Sequence, residues 1–296
     1  MNRGEKHMNR DKDKGQSLFS LGFKKFRRNK LAMFGVIVLA ILVAASLCAP
    51  LLTTHDRNEV DLYAIENAPD DEHLLGTDDV GRDVWARLLY GGRVSLTVGV
   101  MASLSEIILG VTLGSIAGFY GGWIDNLIMR ITDVIMCFPF FVMAIALAAI
   151  VGPSLYNLIF ILAILEWTKA ARIVRAEILS LKERDFIQAS KSMGISNMEI
   201  ILKHVLPNTF SSILVFATLA IADGILAEAS LSFLGMGVRP PQPSWGNMLA
   251  AAQSMRVLQY EWWLWVPPGL LVFLTVISIN FVGDGLRDAL DPKLKV

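Results

Sequence analysis

LAMFGVIVLAILVAASLCAPLL, residues 31–52, runs for 22 residues without a charge. A helix needs ~20 mostly apolar residues to cross the ~30 Å hydrocarbon core of a bilayer, so this stretch reads as a membrane span. The basic stretch Lys24-Lys25-Phe26-Arg27-Arg28-Asn29-Lys30 ahead of it raises the possibility of a signal peptide. Against that, the apolar run exceeds the ~7–15 residues of a signal core, and bulky Leu47 before Cys48 disfavours lipoprotein-type cleavage. The reading is an uncleaved anchor.

Four more runs extend the pattern outward. Val94–Tyr120 contains one charge (Glu106), Ile131–Val151 one (Asp133), Phe210–Leu234 two (Asp223 and Glu228), and Trp262–Val282 none. A sixth, Leu155–Trp167, is short, but it reaches spanning length if Lys169 and Arg172 snorkel to the interface. The expected fold is an all-α, polytopic membrane bundle of six transmembrane helices. Composition agrees: 54% of residues are hydrophobic and 18% charged, against roughly a quarter charged in soluble domains. Cys48 and Cys137 both lie in apolar runs and suggest neither a disulfide framework nor a metal motif.

Loop charges orient the bundle. With the N-terminus inside, the inside segments hold 21 of the 27 Lys and Arg residues, while the 53–93 loop carries ten Asp and Glu residues. The expected layout has a cytoplasmic segment 1–30, a first span 31–52 and an extracytoplasmic loop 53–93. A five-helix core follows at 94–287, with a cytoplasmic loop at 169–207 and a cytoplasmic tail at 288–296. Both termini face the cytoplasm.

Within the spans, Gly110, Gly114 and Gly118 fall four apart and predict a groove in which another helix lies close. Pro139 and the Pro267-Pro268 pair can kink their helices, since proline lacks an amide donor. Charges at membrane depth are costly and face protein or water. Glu106, Asp133, Asp223 and Glu228, with Pro139 as a kink, are therefore candidates for lining a pathway. Packing or interfacial placement is the plainer reading, and a buried relay lacks cationic partners inside these runs.

Residues 169–207 are amphipathic and basic. Asp185-Phe186-Ile187-Gln188 predicts a capping box, as does Ser196-Asn197-Met198-Glu199. Gly194 fits a left-handed helix stop, and Pro207 is expected to close the second short helix. The product is a helix–Gly–helix knuckle with Phe186, Ile187, Met193, Ile195, Met198, Ile201 and Leu202 as its apolar residues. Such a knuckle either folds back onto the membrane interface or plugs a partner's groove.

The run Gln188-Ala189-Ser190-x-x-x-Gly194, nine residues and then His204-Val205-Leu206-Pro207 resembles the "EAA" loop of ATP-binding-cassette importer permeases. In that family the loop forms a coupling helix seated in a cytoplasmic ATPase. The resemblance implies that Asp185, Phe186, Gln188, Ala189, Ser190, Gly194, Ile195, His204, Leu206 and Pro207 form the ATPase-coupling loop. Gln188 replaces the family's usual Glu and Ser190 its usual Ala. A salt bridge from that Glu to the ATPase is therefore in doubt.

Two further blocks resemble the C-type permease subunit of dipeptide, oligopeptide and nickel importers. One is His73-Leu74-Leu75-Gly76-Thr77-Asp78-Asp79-x-Gly81-Arg82-Asp83-Val84 with Arg87-Leu88-Leu89-Tyr90-Gly91-Gly92-Arg93. The other runs from Glu228-Ala229-Ser230-Leu231-Ser232-Phe233-Leu234-Gly235 to Pro240-Pro241-x-Pro243-Ser244-Trp245-Gly246-Asn247. The first block also reads as a structured loop for a substrate-delivering protein, as turn chemistry, or as a cation loop, though it lacks calcium-loop spacing. Trp245 and Trp262–Trp265 read as interfacial anchors.

The resemblance implies a type I importer permease fold and half of a heterodimeric pore, the other half being a homologous B-type permease. It also implies two cytoplasmic ATPases carrying the ATP and Mg, an extracytoplasmic binding protein, and no cofactor on this chain. Peptide is the expected cargo, with nickel as the alternative, and the setting is a bacterial or archaeal cytoplasmic membrane. The residues themselves agree on what is missing. No phosphate loop, zinc-protease motif or nucleophile elbow occurs, and aromatic residues are too sparse among the basic ones for nucleic-acid binding. His7, His55, His73 and His204 lie far apart in sequence. An ion-coupled secondary transporter using the intramembrane carboxylates is the reading from another class, and a membrane enzyme the third.

Overall fold

Asn29 starts the first span: its side-chain oxygen accepts hydrogen bonds from the amides of Leu31 and Ala32 at 3.1 Å each, covering donors that a helix start leaves free. From there the described chain is mostly helical, apart from the segments 53–83 and 234–244. The computed structural model describes residues 18–290. In order, the helices are α1 (Leu18–Arg28), α2 (Lys30–Leu47), α3 (Ala49–Leu52), α4 (Val84–Tyr120), α5 (Gly122–Met136), α6 (Phe140–Val151), α7 (Leu155–Lys182) and α8 (Asp185–Ser192). Then come α9 (Asn197–Ile200), α10 (Leu206–Phe233), α11 (Trp245–Leu249), α12 (Met255–Tyr260) and α13 (Trp262–Leu290). No strand occurs among the described residues.

Four segments are long and apolar enough to cross a membrane alone: Lys30–Leu47, Val84–Tyr120, Asn197–Phe233 and Trp262–Leu290. The α5–α6 pair passes the same test jointly but bends by 89°. Helix α7, 28 residues long, completes the six; its second half carries Glu166, Lys169, Arg172 and Arg175, which lowers its hydropathy. The all-helical bundle read from the sequence is the observed architecture.

Several boundaries differ from the apolar runs, each for a local reason. The second span starts at Val84, not Val94, because Asp83 caps it by accepting from the Ala86 amide at 2.6 Å. The chain bends at Cys48 with Pro50 in the next turn, so α2 ends at Leu47. The third span breaks at Cys137–Pro139: Pro139 has φ −59° and ψ 130°, a conformation that ends one helix and begins another. Pro267 and Pro268 lie inside α13, which runs through them without a break. The basic segment ahead of the first span forms helix α1, which packs on the end of α13, where Gly285 meets Phe26.

The glycine register decides the core. A Cβ on Gly114 would lie 2.5 Å from the Ala171 carbonyl oxygen, and one on Gly118 would lie 3.0 Å from that of Arg175. A Cβ on Gly110 would run into the Ala170 Cβ and lie 2.9 Å from the Trp167 carbonyl oxygen. All three therefore let α7 lie against the backbone of α4. At the α8 end, Phe119, Val174, Ile178, Ile187, Ile200, Ile201 and Val205 form one apolar cluster. At the other end Val84, Leu88, Trp245, Trp263 and Leu264 form another. Trp245 is 1% exposed and donates its ring N–H to the Leu88 carbonyl at 3.0 Å. It is a core residue, which corrects its reading as an interfacial anchor.

Candidate functional site

The knuckle between α7 and α10 has a rigid base. Ile187 is fully buried, and Ser190, 4% exposed, donates to the Phe186 carbonyl at 2.8 Å. After α8 the chain reverses at Gly194, whose φ is +75°. The Gly194 amide donates to Lys191 at 3.0 Å and the Ile195 amide to Ser190 at 3.3 Å, a left-handed helix stop that closes two free carbonyls.

The predicted caps form only in part. Arg184 occupies the cap position of α8 without a side-chain bond, and Asp185 falls one residue inside, in the first turn, where its charge suits the helix dipole. Gln188 turns away from the cap and donates its amide to the Lys182 carbonyl at 2.9 Å, tying α8 to the last turn of α7. A glutamate could not donate there. Ser196 does cap α9, accepting from the Glu199 amide at 3.3 Å, but Glu199 pairs with Lys203 at 2.7 Å rather than reaching back. Pro207 does not close the second helix. It sits in the first turn of α10, preceded by a π turn at Ile201–Val205. The wider turn lets the helix continue where proline offers no amide. His204 is half-buried, and its carbonyl accepts from the Asn208 side chain at 2.6 Å.

One side of the knuckle stays open. Phe186 is 43% exposed, Met193 71%, Met198 56% and Leu202 56%. Ala189, one turn from Phe186 and Met193, is exposed too. These residues make an apolar patch on a base anchored by Ile187.

The intramembrane carboxylates separate into different settings. Glu228 is 0% exposed and accepts hydrogen bonds from Ser95 at 2.8 Å and Ser232 at 2.7 Å. Ser95 also accepts from the Trp245 amide at 3.1 Å, so Glu228 pins α4, α10 and α11 together. Asp133 pairs with Arg172 at 2.6 Å. Asp125, which lies outside the apolar runs, pairs with Arg175 through two contacts of 2.5 and 2.6 Å. Cationic partners thus exist, because α7 stays helical through its basic half; the two acids on α5 face the two arginines on α7. Glu106 is buried near Glu166, Lys169 and exposed Asp223, and Glu166 pairs with Lys169 at 2.5 Å. A cavity of about 150 Å³ at the Pro139 break is lined by Phe138, Phe140, Glu166 and Lys169.

At the opposite end, Asp78 satisfies its own turn. It accepts from the Val80 and Arg82 amides at 3.1 and 3.0 Å, from Arg82 Nε at 2.7 Å and from Arg87 at 3.3 Å. Gly81 has φ +79° and lies against the Asp61 backbone, where no Cβ fits. Beside it opens a cavity of about 610 Å³ lined by Glu66, Asp78, Arg82, Arg87 and Arg256. Arg256 pairs with Glu66 and with Glu261, whose carboxyl is pushed up by burial.

Residues 110–296, more than half of the chain, match the family described as binding-protein-dependent transport system inner membrane component. The chain belongs to this family. Residues 17–69 also match the N-terminal transmembrane domain of oligopeptide transport permease C. As a permease of this family, it is 45% identical to a dipeptide transport system permease protein of Alkalihalophilus pseudofirmus, over 92% of this chain and 89% of that protein. It is 39% identical to an oligopeptide transport system permease protein of Bacillus subtilis, over 95% and 92%. It is 43% identical to a glutathione transport system permease protein of Escherichia coli, over 92% and 90%. It is a multi-pass membrane permease of the C type of ATP-binding-cassette importer.

Proposed function

We propose that this permease forms half of a peptide-conducting pore, and that α8 is the lever on which a cytoplasmic ATPase acts. The observation that carries this is the open apolar patch of Phe186, Ala189, Met193, Met198 and Leu202 on a buried base. A solvated loop has no reason to hold such a patch rigid. A helix seated in a partner's groove needs both the apolar surface and the stiff mounting.

The excess of Lys and Arg in the segments that include both termini and α8 supports a cytoplasmic side for them, with the 53–83 segment outside. The 610 Å³ cavity then faces the binding protein that delivers substrate. A homologous B-type permease completes the pore, and two ATPase subunits bind the ATP and Mg. The named relatives carry dipeptides, oligopeptides and glutathione, which supports a peptide cargo. When ATP closes the ATPase pair, the coupling helices approach one another. Gln188 and Ile187 pass that motion to α7, and the glycine groove passes it to α4. Product release returns the bundle to its inward-facing form.

Phe186→Asp combined with Met193→Asp places charge in the proposed groove without touching buried Ile187. Affinity of the ATPases for the permease is expected to fall by more than tenfold, and co-purification with it, since losing each buried apolar side chain costs ~1.5–3 kcal/mol. Undiminished co-purification would contradict the assignment of α8 as the docking element.

A further inference from the structure

We propose that His55 and His73, with Asp83 holding the His73 ring from behind, form a site for a divalent transition-metal ion that ties the exit of the first span to the entry of the second. The three residues come from separate segments: His55 follows α3, His73 lies in the turn before Gly76, and Asp83 caps α4. One ligand-capable atom from each residue lies within 4.8 Å of those of the other two, and the two imidazole ring centres are 4.9 Å apart.

The hydrogen bonds around the rings favour an ion. His55 Nε2 lies 3.0 Å from the Glu72 carbonyl oxygen, and His73 Nδ1 lies 3.0 Å from Asp83 Oδ2. Carbonyl and carboxylate oxygens only accept, so those two nitrogens carry the protons. Neutral imidazole then leaves a bare lone pair on His55 Nδ1 and on His73 Nε2. Metal-bound histidines are held the same way, the second nitrogen donating to a carboxylate or carbonyl that fixes the tautomer. Asp83 adds negative charge behind His73, and His73 and Asp83 are both buried. His55 is half-buried on a loop, so its ring can turn to reach the ~2.0–2.1 Å bond that zinc makes with imidazole. Imidazole donors suit zinc, nickel or copper, whereas calcium and magnesium take oxygen ligands. Asp78, and not this cluster, holds the Val80 and Arg82 amides of the turn before α4.

Zinc chloride added to the purified complex, carried on a histidine-free affinity tag, tests the site. Thermal unfolding and zinc retained after dialysis are the readouts. The wild type should retain one more equivalent of zinc than His55→Phe, which keeps a ring of similar volume. Its midpoint should rise by about 5 °C at a hundredfold excess over Kd, a shift absent from the variant. Magnesium should do nothing, and His55→Cys, offering a thiolate, should regain the ion. Equal zinc and equal shifts in wild type and His55→Phe, no shift in either, or failure of His55→Cys to regain zinc would overturn the proposal.

Discussion

Gly194→Val is expected to cut ATP-driven uptake about tenfold or more while leaving the permease in the membrane. Space is not the issue, because no atom lies within 4 Å of a Cβ built at Gly194. The backbone is: φ is +75°, and left-handed geometry costs a residue with a Cβ roughly 1–2 kcal/mol, most for a branched one. Relief comes by unwinding the turn, which frees α8 from α9 and breaks the Ile195–Ser190 bond. A helix that is no longer fixed at its far end cannot transmit a push. The ATPases should then hydrolyse ATP without driving transport. Gly194→Asn separates this cause from general damage, since Asn tolerates the left-handed region and should transport nearly as well as wild type. Uptake by Gly194→Val at the wild-type rate, with equal membrane levels, would refute the lever.

The second large effect lies in the glycine groove. Gly114→Val is expected to destabilise the permease by about 3 kcal/mol, within the cost of overpacking a tight core, lowering the thermal midpoint by about 6–12 °C. The atoms a Cβ meets are the Ala171 carbonyl oxygen at 2.5 Å, Cα at 3.0 Å and carbonyl carbon at 3.1 Å. All are backbone, so only separation of α4 from α7 makes room. Gly269→Ala is the control: its Cβ meets only the end of the Leu249 side chain at 3.5 Å, and stability should not change. A thermal scan of the detergent-purified complex reads both, and an unchanged midpoint for Gly114→Val would show that the two helices do not bear on each other at this position.

The bundle was legible because a bilayer demands long apolar runs, and these survive in single-letter code. Five spans stand out by hydropathy, and α7 does not, because its second half carries Glu166, Lys169, Arg172 and Arg175, the last two pairing with Asp133 and Asp125 on α5. The ion pairs therefore hid the helix they hold. Span starts were misplaced where polar residues extend a helix beyond its apolar run: Asp83 begins α4 ahead of Val94, and Asp78 satisfies the arginines that follow. Local capping signals did less well, since Gln188 and Glu199 found partners outside the caps that their spacing allowed. Pro207 read as a stop because a π turn leaves no mark in sequence. The bonds that join Ser95 to Glu228 and to Trp245 each span more than a hundred positions, and no local pattern marks them. Nor does spacing announce that His55 and His73 meet, because the connecting loop, not a helix period, brings them together.

Reconstitution into vesicles tests the central claim most directly. The permease would be assembled with the proposed partners, a B-type permease, two ATPase subunits and a peptide-binding protein, and uptake of a labelled dipeptide followed with and without ATP. Uptake that requires ATP and both ATPases, and disappears when Phe186 and Met193 are changed to Asp, is the predicted result. Uptake driven by an ion gradient with the ATPases left out would contradict it and point instead to the intramembrane carboxylates as ion sites.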